Sequence, residues 1–396
     1  MATQLLTDLA PAAQTARFTH EIVSVDSMDG FSALRGVWRT LVDHAENASL
    51  CDGYEYCELA ASIAFEQHRI VNVVLIRDAL GLVVLWPFVI EQRGLLRIAR
   101  RLTCGAREEY GLPLIRRDAG DDVWPSIMVA LRRVAADVLE VHWVTDGTKL
   151  QAALDAAPQP NFSRLMPRHK RGHPGYAIDM LGFPNFDEFE RTAISSQTRQ
   201  ALRRRRRQLE KNGCVESGCC ETAEETMQIL KWIIEQKRAW ADARGIKSEY
   251  LADERLIHFY ARLVKELDLS KTPLVAFTKV GGVTVAASLN MVGAKTMEGQ
   301  INTYDPAFSE YSVGSLHLYD LIKWAYLHGL DYDFRPVRVE HKERWATRHT
   351  WHETRMIYLT ARGRLLELAL LREYADRATR KLARETLRRI RPGAKP

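Results

Sequence analysis

Residues 274–329 read LVAFTKVGGVTVAASLNMVGAKTMEGQINTYDPAFSEYSVGSLHLYDLIKWAYLHG. Three β-rich runs, at 274–280, 283–292 and 296–303, are separated by Gly281-Gly282 and Gly293-Ala294, pairs suited to tight turns. This is the pattern of an antiparallel meander. After a loop the period changes: Leu318, Leu321, Ile322 and Ala325 recur at i, i+3, i+4 and i+7. That spacing predicts a helix over 314–328, ended by Gly329. Short strands are expected at 331–334 and 355–359.

Upstream, Asn185 and Glu188 flank Phe186 in the manner of a capping box. Ser195 or Ser196 then caps a second helix that runs to Lys211 and closes on Asn212-Gly213. Further helices are expected over 224–243, with Met227, Leu230, Ile233, Ile234 and Trp240 on one face, and over 253–267. The first half shows a degraded version of the same order. It has a strand at 21–25, a helix through Phe31, Leu34, Val37, Trp38, Leu41 and Val42, and a hairpin of 71–76 with 82–90. A helix over 123–138 and a strand at 139–144 follow. The polar, Pro-rich passage 157–175 reads as the connection. The expectation is an α/β protein with a mixed α+β sheet in two halves, 1–175 and 176–360, and a basic tail, 361–396.

With 46% apolar and 27% charged residues among 396, a disordered or fibrous chain is excluded. No run of 18 apolar residues occurs, so no membrane-spanning helix is expected. The N-terminal segment has no basic stretch and carries Asp8 within its apolar part, so a secretory signal is not expected. Six cysteines, two of them adjacent (Cys219 and Cys220), make no disulfide framework. A cytoplasmic protein is the reading. The net charge is +6, yet residues 361–396 hold 11 Lys/Arg against 4 Asp/Glu, so the body is close to neutral. A broad nucleic-acid surface is therefore not expected, and DNA is excluded as a partner. His349 and His352 lack the spacing of a zinc site, and no metal is expected. Nucleophile-elbow, Walker and dinucleotide motifs are absent.

Three passages carry a resemblance: 199–209 (RQALRRRRRQL), 303–316 (TYDPAFSEYSVGSL) and 333–346 (DFRPVRVEHKERWA). In this order they resemble the BioF2-like, or CelD/BcsL-like, branch of the GNAT acyltransferases, over roughly residues 20–360. The resemblance implies two tandem GNAT-like acyl-CoA N-acyltransferase domains, as in the Fem peptidyltransferases, with the donor site in the second. The implied donor is a thioester: acetyl-CoA, another acyl-CoA or an acyl-carrier protein. The implied reaction moves an acetyl or longer acyl group to an amine or hydroxyl of a sugar or amino compound. The acceptor would be a small molecule or saccharide, in exopolysaccharide or cellulose production. Two rival expectations are a Fem-like transferase using aminoacyl-tRNA and a non-catalytic GNAT-like module of a polysaccharide-synthesis system.

Candidate site residues follow. Ser312, Val313, Gly314 and Ser315 stand where a helix begins, and free N–H groups there suit a pyrophosphate. Ser312 is expected to cap this helix; an ordinary capped helix start accounts for the same residues. The common GNAT loop has Arg or Gln, then Gly, then Gly or Ala, where this chain has Tyr311, Gly314 and Leu316. The family resemblance puts the strand 296–303 beside the thioester, with Glu298 as candidate base and Tyr304 or Tyr311 as candidate acid. It also marks Lys342 and Trp345; with Arg344, these suit an anionic donor or a surface helix with a buried Trp. Arg199 and Arg203, Arg204, Arg205, Arg206 and Arg207 crowd one helix whose apolar stripe is Ile194, Leu202 and Leu209. Their mutual repulsion suits a bound anion, unless nearby acids pair with them. In the tail, Leu365, Leu366, Leu368, Leu370 and Leu371 are expected to pack on the body. The basic end suits peripheral contact with an anionic inner membrane, or solvent.

Overall fold

The computed structural model describes residues 17–46, 48–104, 110–158, 172–246 and 248–390. Most of the Pro-rich connection and the last basic residues lie outside them. The first half begins with β1 (Thr19–Val25) and the helices α1 (Met28–Ser32), α2 (Arg35–His44) and α3 (Tyr54–Glu66). Strands β2 (Ile70–Asp78), β3 (Gly81–Arg93), β4 (Leu96–Arg101) and β5 (Leu114–Ile115) follow. It closes with α4 (Val123–Leu131), β6 (Val138–Thr145), α5 (Lys149–Asp155) and β7 (Gly172–Ile178). The second half opens with α6 (Phe186–Ala193), α7 (Ser196–Leu209) and β8 (Val215–Cys219), then α8 (Ala223–Asp242), α9 (Glu249–Ala252) and α10 (Arg255–Glu266). After these come β9 (Val275–Val280), β10 (Val283–Val292), β11 (Thr296–Tyr304) and α11 (Val313–Leu327). Last are β12 (Asp331–Asp333), α12 (Glu340–Trp345), β13 (Arg348–Tyr358) and α13 (Leu365–Ile390).

Local signals set most of these boundaries. Gly281 and Gly282 take φ of 56° and 81°, the paired positive values of a two-residue hairpin turn. Asn185 accepts the Glu188 N–H at 2.8 Å and Ser195 accepts the Thr198 N–H at 3.2 Å, which starts α6 and α7. Two expected helices are shorter than their apolar spacing suggests. The one through Phe31 breaks between α1 and α2, and the one from Val123 stops at Leu131, before β6.

Twelve strands lie in the order β1-β2-β3-β4-β6-β13-β7-β12-β11-β10-β9-β8, and β5 pairs with β3 at the side. Each half supplies an antiparallel run that ends in one parallel pair, β4 with β6 and β11 with β12. The last strand of each half then crosses to the other half. β7 pairs with β12, β13 pairs with β6, and β7 and β13 meet in the middle.

One face of this sheet carries a core shared by both halves. There Phe31, Trp38, Tyr54 and Leu59 join Ile233, Ile234, Phe259 and Leu263. The opposite face is covered by α4 and α5 over the first half and by α6, α7, α11 and α12 over the second.

Candidate active site

β11 and β12 run parallel only through Thr296↔Asp331, Met297↔Tyr332 and Glu298↔Asp333. Beyond Asp333 the chain turns toward β7: Phe334 N–H donates to Tyr176 O at 2.9 Å, and Val337 N–H donates to Pro174 O at 3.2 Å. β11 instead continues along β10 to Ala286↔Tyr304. A slot therefore opens beside residues 299–304. Its floor is irregular, because Leu289 pairs with Ile301 and Asn290 with Gly299, leaving Gln300 as an extra residue. Such a bulge turns strand groups out of the ladder. The Gln300 Nε2 is buried with no acceptor among the described residues. Gly299 faces Tyr332, whose Oη would lie 2.4 Å from any Cβ at that position, so no larger residue fits.

At the outer end of β11 the chain makes a 3₁₀ turn, Pro306–Tyr311, capped by Asp305. Ser312 then adopts φ 51°, ψ 41°. In this left-handed conformation its side chain makes no cap bond, contrary to the sequence expectation. The Ser312 carbonyl instead accepts the N–H groups of Ser315 and Leu316 at 2.9 and 3.2 Å. The Val313 and Gly314 N–H groups have no acceptor among the described residues. A Cβ on Gly314 would press within 3.1 Å of the Tyr304 ring. Ser315 is half-buried, while Val313 and Leu316 are core residues, so the family's third loop position is unavailable to a ligand. Tyr311 packs on Phe308. His317 fixes the helix to the sheet through Thr278 at 3.1 Å and Ser288 at 3.0 Å; burial lowers its pKa to about 4, so it stays neutral.

The arginines of α7 are divided in use. Arg199 donates to the carbonyls of Glu190 and Arg191, each at 3.0 Å, closing the end of α6. Arg205 donates to the Glu310 carbonyl in the loop before α11, and Arg206 grips both Asp320 oxygens at 2.6 and 2.5 Å. Arg203 lies 3.8 Å from Glu190, and Arg203, Arg204 and Arg207 are exposed. Half of the cluster is thus engaged by the protein, and half faces solvent.

At the inner end of the slot Glu298 is 8% exposed. Burial raises its pKa to about 7; the Arg335 guanidinium, 3.8 Å away, opposes this, and Asp333 adds to it. Asp333 accepts from the Tyr110 hydroxyl at 2.8 Å and from the Arg335 N–H at 2.6 Å. Arg335 holds φ 65° and lies against the rings of Tyr110 and Trp143, 5.8 and 5.5 Å from their centroids. Burial and Asp333 drive the Tyr110 hydroxyl well above its usual range, so it remains a donor. The centre is therefore built by both halves. Asp52 and Arg101 of the first half, paired at 2.5 Å, also act on Glu298. The corresponding slot of the first half, past Arg100↔Glu140, is filled by its own chain, where Gly111 N–H donates to His142 O at 3.0 Å.

Lys237 of α8 reaches the mouth of the slot, donating to the Asn302 carbonyl at 3.3 Å and lying over Trp240. Burial, with Arg244, lowers its pKa. His341 is lowered by burial and by Lys342, Lys237 and Arg344. Lys342 holds the Arg335 turn through the carbonyls of Arg335 and Pro336 at 3.1 and 3.2 Å. Arg344 pairs at the surface with Glu340 at 3.3 Å, and Trp345 packs in the core of the second half. Tyr304 is 47% exposed. On the face carrying the shared core, a cavity of 330 Å³ is lined from both halves by Gln67, Arg101, Cys104, His142, Tyr250 and Arg255, among others. Among the described residues no group of three His, Cys, Asp or Glu side chains could hold a metal ion.

Sequence reasoning had singled out Glu298, Tyr304 and the start of α11. Tyr110, Asp333, Arg335 and Lys237 were not assigned roles. A buried Tyr beside a distant Asp leaves no local signal.

Residues 196–345 match the family model described as an acetyltransferase (GNAT) domain. Among solved structures, FemX is 11% identical, with 82% of this chain and 96% of that chain covered, at a TM-score of 0.58. L-PGS from Bacillus licheniformis is 13% identical over 86% of this chain and 96% of that one, with a TM-score of 0.49. A tandem GNAT protein from the clavulanic acid biosynthesis pathway is 8% identical over 86% and 99%, with a TM-score of 0.41. No curated protein matches in sequence. At such identities the likeness to FemX is one of fold.

Proposed function

We propose that the chain moves an acyl group from a thioester to an amine or hydroxyl, because residues 196–345 match the model of a GNAT acetyltransferase domain and the fold is similar to that of FemX. One observation carries this reading. The slot beside β11 has two N–H groups without acceptors at its outer end and a buried carboxyl with a near-neutral pKa at its inner end. The donor in this reading is acetyl-CoA or a longer acyl-CoA. The Val313 and Gly314 N–H groups and the positive end of α11 suit its pyrophosphate. Arg205, held beside the loop by Glu310, supplies a cation near the place where Tyr311 replaces the usual Arg or Gln.

The acceptor in this reading is a sugar or amino compound that reaches Glu298 from the side of Asp52 and Arg101. Glu298 in its ionised form takes a proton from the acceptor amine or hydroxyl. The freed nitrogen or oxygen attacks the thioester carbon, the carbon–sulfur bond breaks, and the leaving thiolate takes a proton from solvent. Tyr304, six residues along β11 at the outer end of the slot, lies too far from Glu298 to act as the acid on the same thioester. The products are the amide or ester and the free thiol. Backbone N–H groups of β11 near the bulge would polarise the thioester carbonyl. Acceptors that belong to exopolysaccharide or cellulose production fit the BioF2-like resemblance.

The test is thiol release from acetyl-CoA and longer acyl-CoAs with a panel of amino-sugars and amines. Turnover is expected, with loss on Gly314→Trp, which fills the loop, and on Glu298→Gln. Tight tRNA binding without thioester use would replace this reading with aminoacyl transfer. No turnover with any donor would leave a non-catalytic module.

A further inference from the structure

The C-terminal helix carries an apolar ridge that the body does not cover. α13 has 26 residues, about 39 Å of helix at ~1.5 Å per residue. In its first turns Leu366 and Leu370 pack on Leu96, Ile98, Val138 and Met356. Arg362 pairs with Asp137 at 2.8 Å, and the Tyr358 hydroxyl donates to Glu367 at 2.8 Å. On the other side Leu365, Leu368 and Leu371 stand at i, i+3 and i+6 with 39, 64 and 39% of their surface exposed. Three exposed leucines on one helical face are more than scattered surface residues require.

Charge identifies the surface that would cover this ridge. Residues 361–396 hold 11 Lys/Arg and 4 Asp/Glu, a surplus of +7 in a chain whose total is +6. Arg364, Arg372, Arg377 and Arg380 are among them and lie in or beside the described helix. An apolar face on a strongly basic helix is the composition that lies in the plane of an anionic bilayer. No helix among the described residues is long and apolar enough to cross one. A second copy of the chain is a poorer partner, since pairing two such helices would bring two surplus charges of +7 together.

We propose that α13 docks the protein on an anionic membrane, with Leu365, Leu368 and Leu371 sunk at the headgroup level and the basic residues held by lipid phosphates. The inference is independent of the acyl-transfer reading. The test is co-sedimentation of the full chain with vesicles of phosphatidylcholine alone or mixed with phosphatidylglycerol. Binding is expected only to the mixed vesicles, weakening as salt is raised. Leu368→Asp with Leu371→Asp should reduce it at least about tenfold, and Leu368→Phe should retain it. Both sites are exposed, so circular dichroism should be unchanged by either variant. The proposal is overturned if wild type and the double Asp variant bind alike, or if neither vesicle is bound. It is also overturned if the wild type is a dimer that the double variant dissociates.

Discussion

A carboxyl group shut between two halves of a protein keeps its proton longer than one in water, and Glu298 illustrates the consequence. Its ionised form is resisted by burial, by Asp333 and by Asp52, and is favoured by the Arg335 guanidinium at 3.8 Å and, more weakly, by Arg101. If it is the base, kcat/KM should fall with a single ionisation as pH drops below about 7, the value at which Glu298 takes up its proton. Glu298→Gln should flatten that profile and lower kcat by ~10²–10⁴. The same group makes a claim about stability. Its folded pKa lies above the unfolded value, so the native state binds more protons between them, and stability falls as pH rises from about 4.5 to about 7. Glu298→Gln should therefore gain on the wild type, by on the order of 3 kcal/mol above that window and nothing below it. Urea midpoints at pH 4 and pH 8 would check this; an equal difference at both would remove burial as the cause. Glu298 itself was legible in the sequence as an acid on the expected strand. Its environment was not, because Tyr110 and Asp333 meet across 223 positions.

Between elements, α7 and α11 show how neighbouring arginines serve different ends. Arg206→Ala removes a two-oxygen grip on Asp320 at the α7–α11 contact and leaves that carboxylate without this partner. A stability loss of about 1 kcal/mol is expected, with donor KM unchanged. Arg205→Ala should do the reverse. It releases the Glu310 carbonyl before α11, so donor KM should rise several-fold, while the unfolding free energy stays within about 0.5 kcal/mol of wild type. If the two variants give the same pattern, the division of roles is wrong. Helix α11 and the β9–β11 meander could be read from the sequence because glycine turns and apolar spacing are local. Helix α3 could not. Tyr54, Tyr56, Cys57, Leu59, Ala60, Ala61 and Ala64 are buried around most of its circumference, which leaves only the narrow polar line of Glu55, Glu58, Ser62 and Glu66 to mark its period.

For the molecule as a whole, the exchange of β7 and β13 makes the halves interdependent. We expect a single urea transition with coincident far-UV circular dichroism and Trp fluorescence. A fragment of residues 176–360 should fail to fold, because it cuts β7 at its centre and deprives β13 of β6. Two separated transitions, or a cooperatively folded fragment, would show the halves to be autonomous.

The amino-acid order alone determined the repeated programme of strands and helices, the turn glycines, the basic tail and the acid on β11, since each depends on residues a few positions apart. The tertiary structure decided which halves share strands and why one slot is open while its counterpart is closed by Gly111. It also decided that Glu298 sits in a field set by Asp52, Arg101, Asp333 and Arg335. Dielectric and charge act through space, and chain neighbours do not record which distant groups will be brought within a few ångströms.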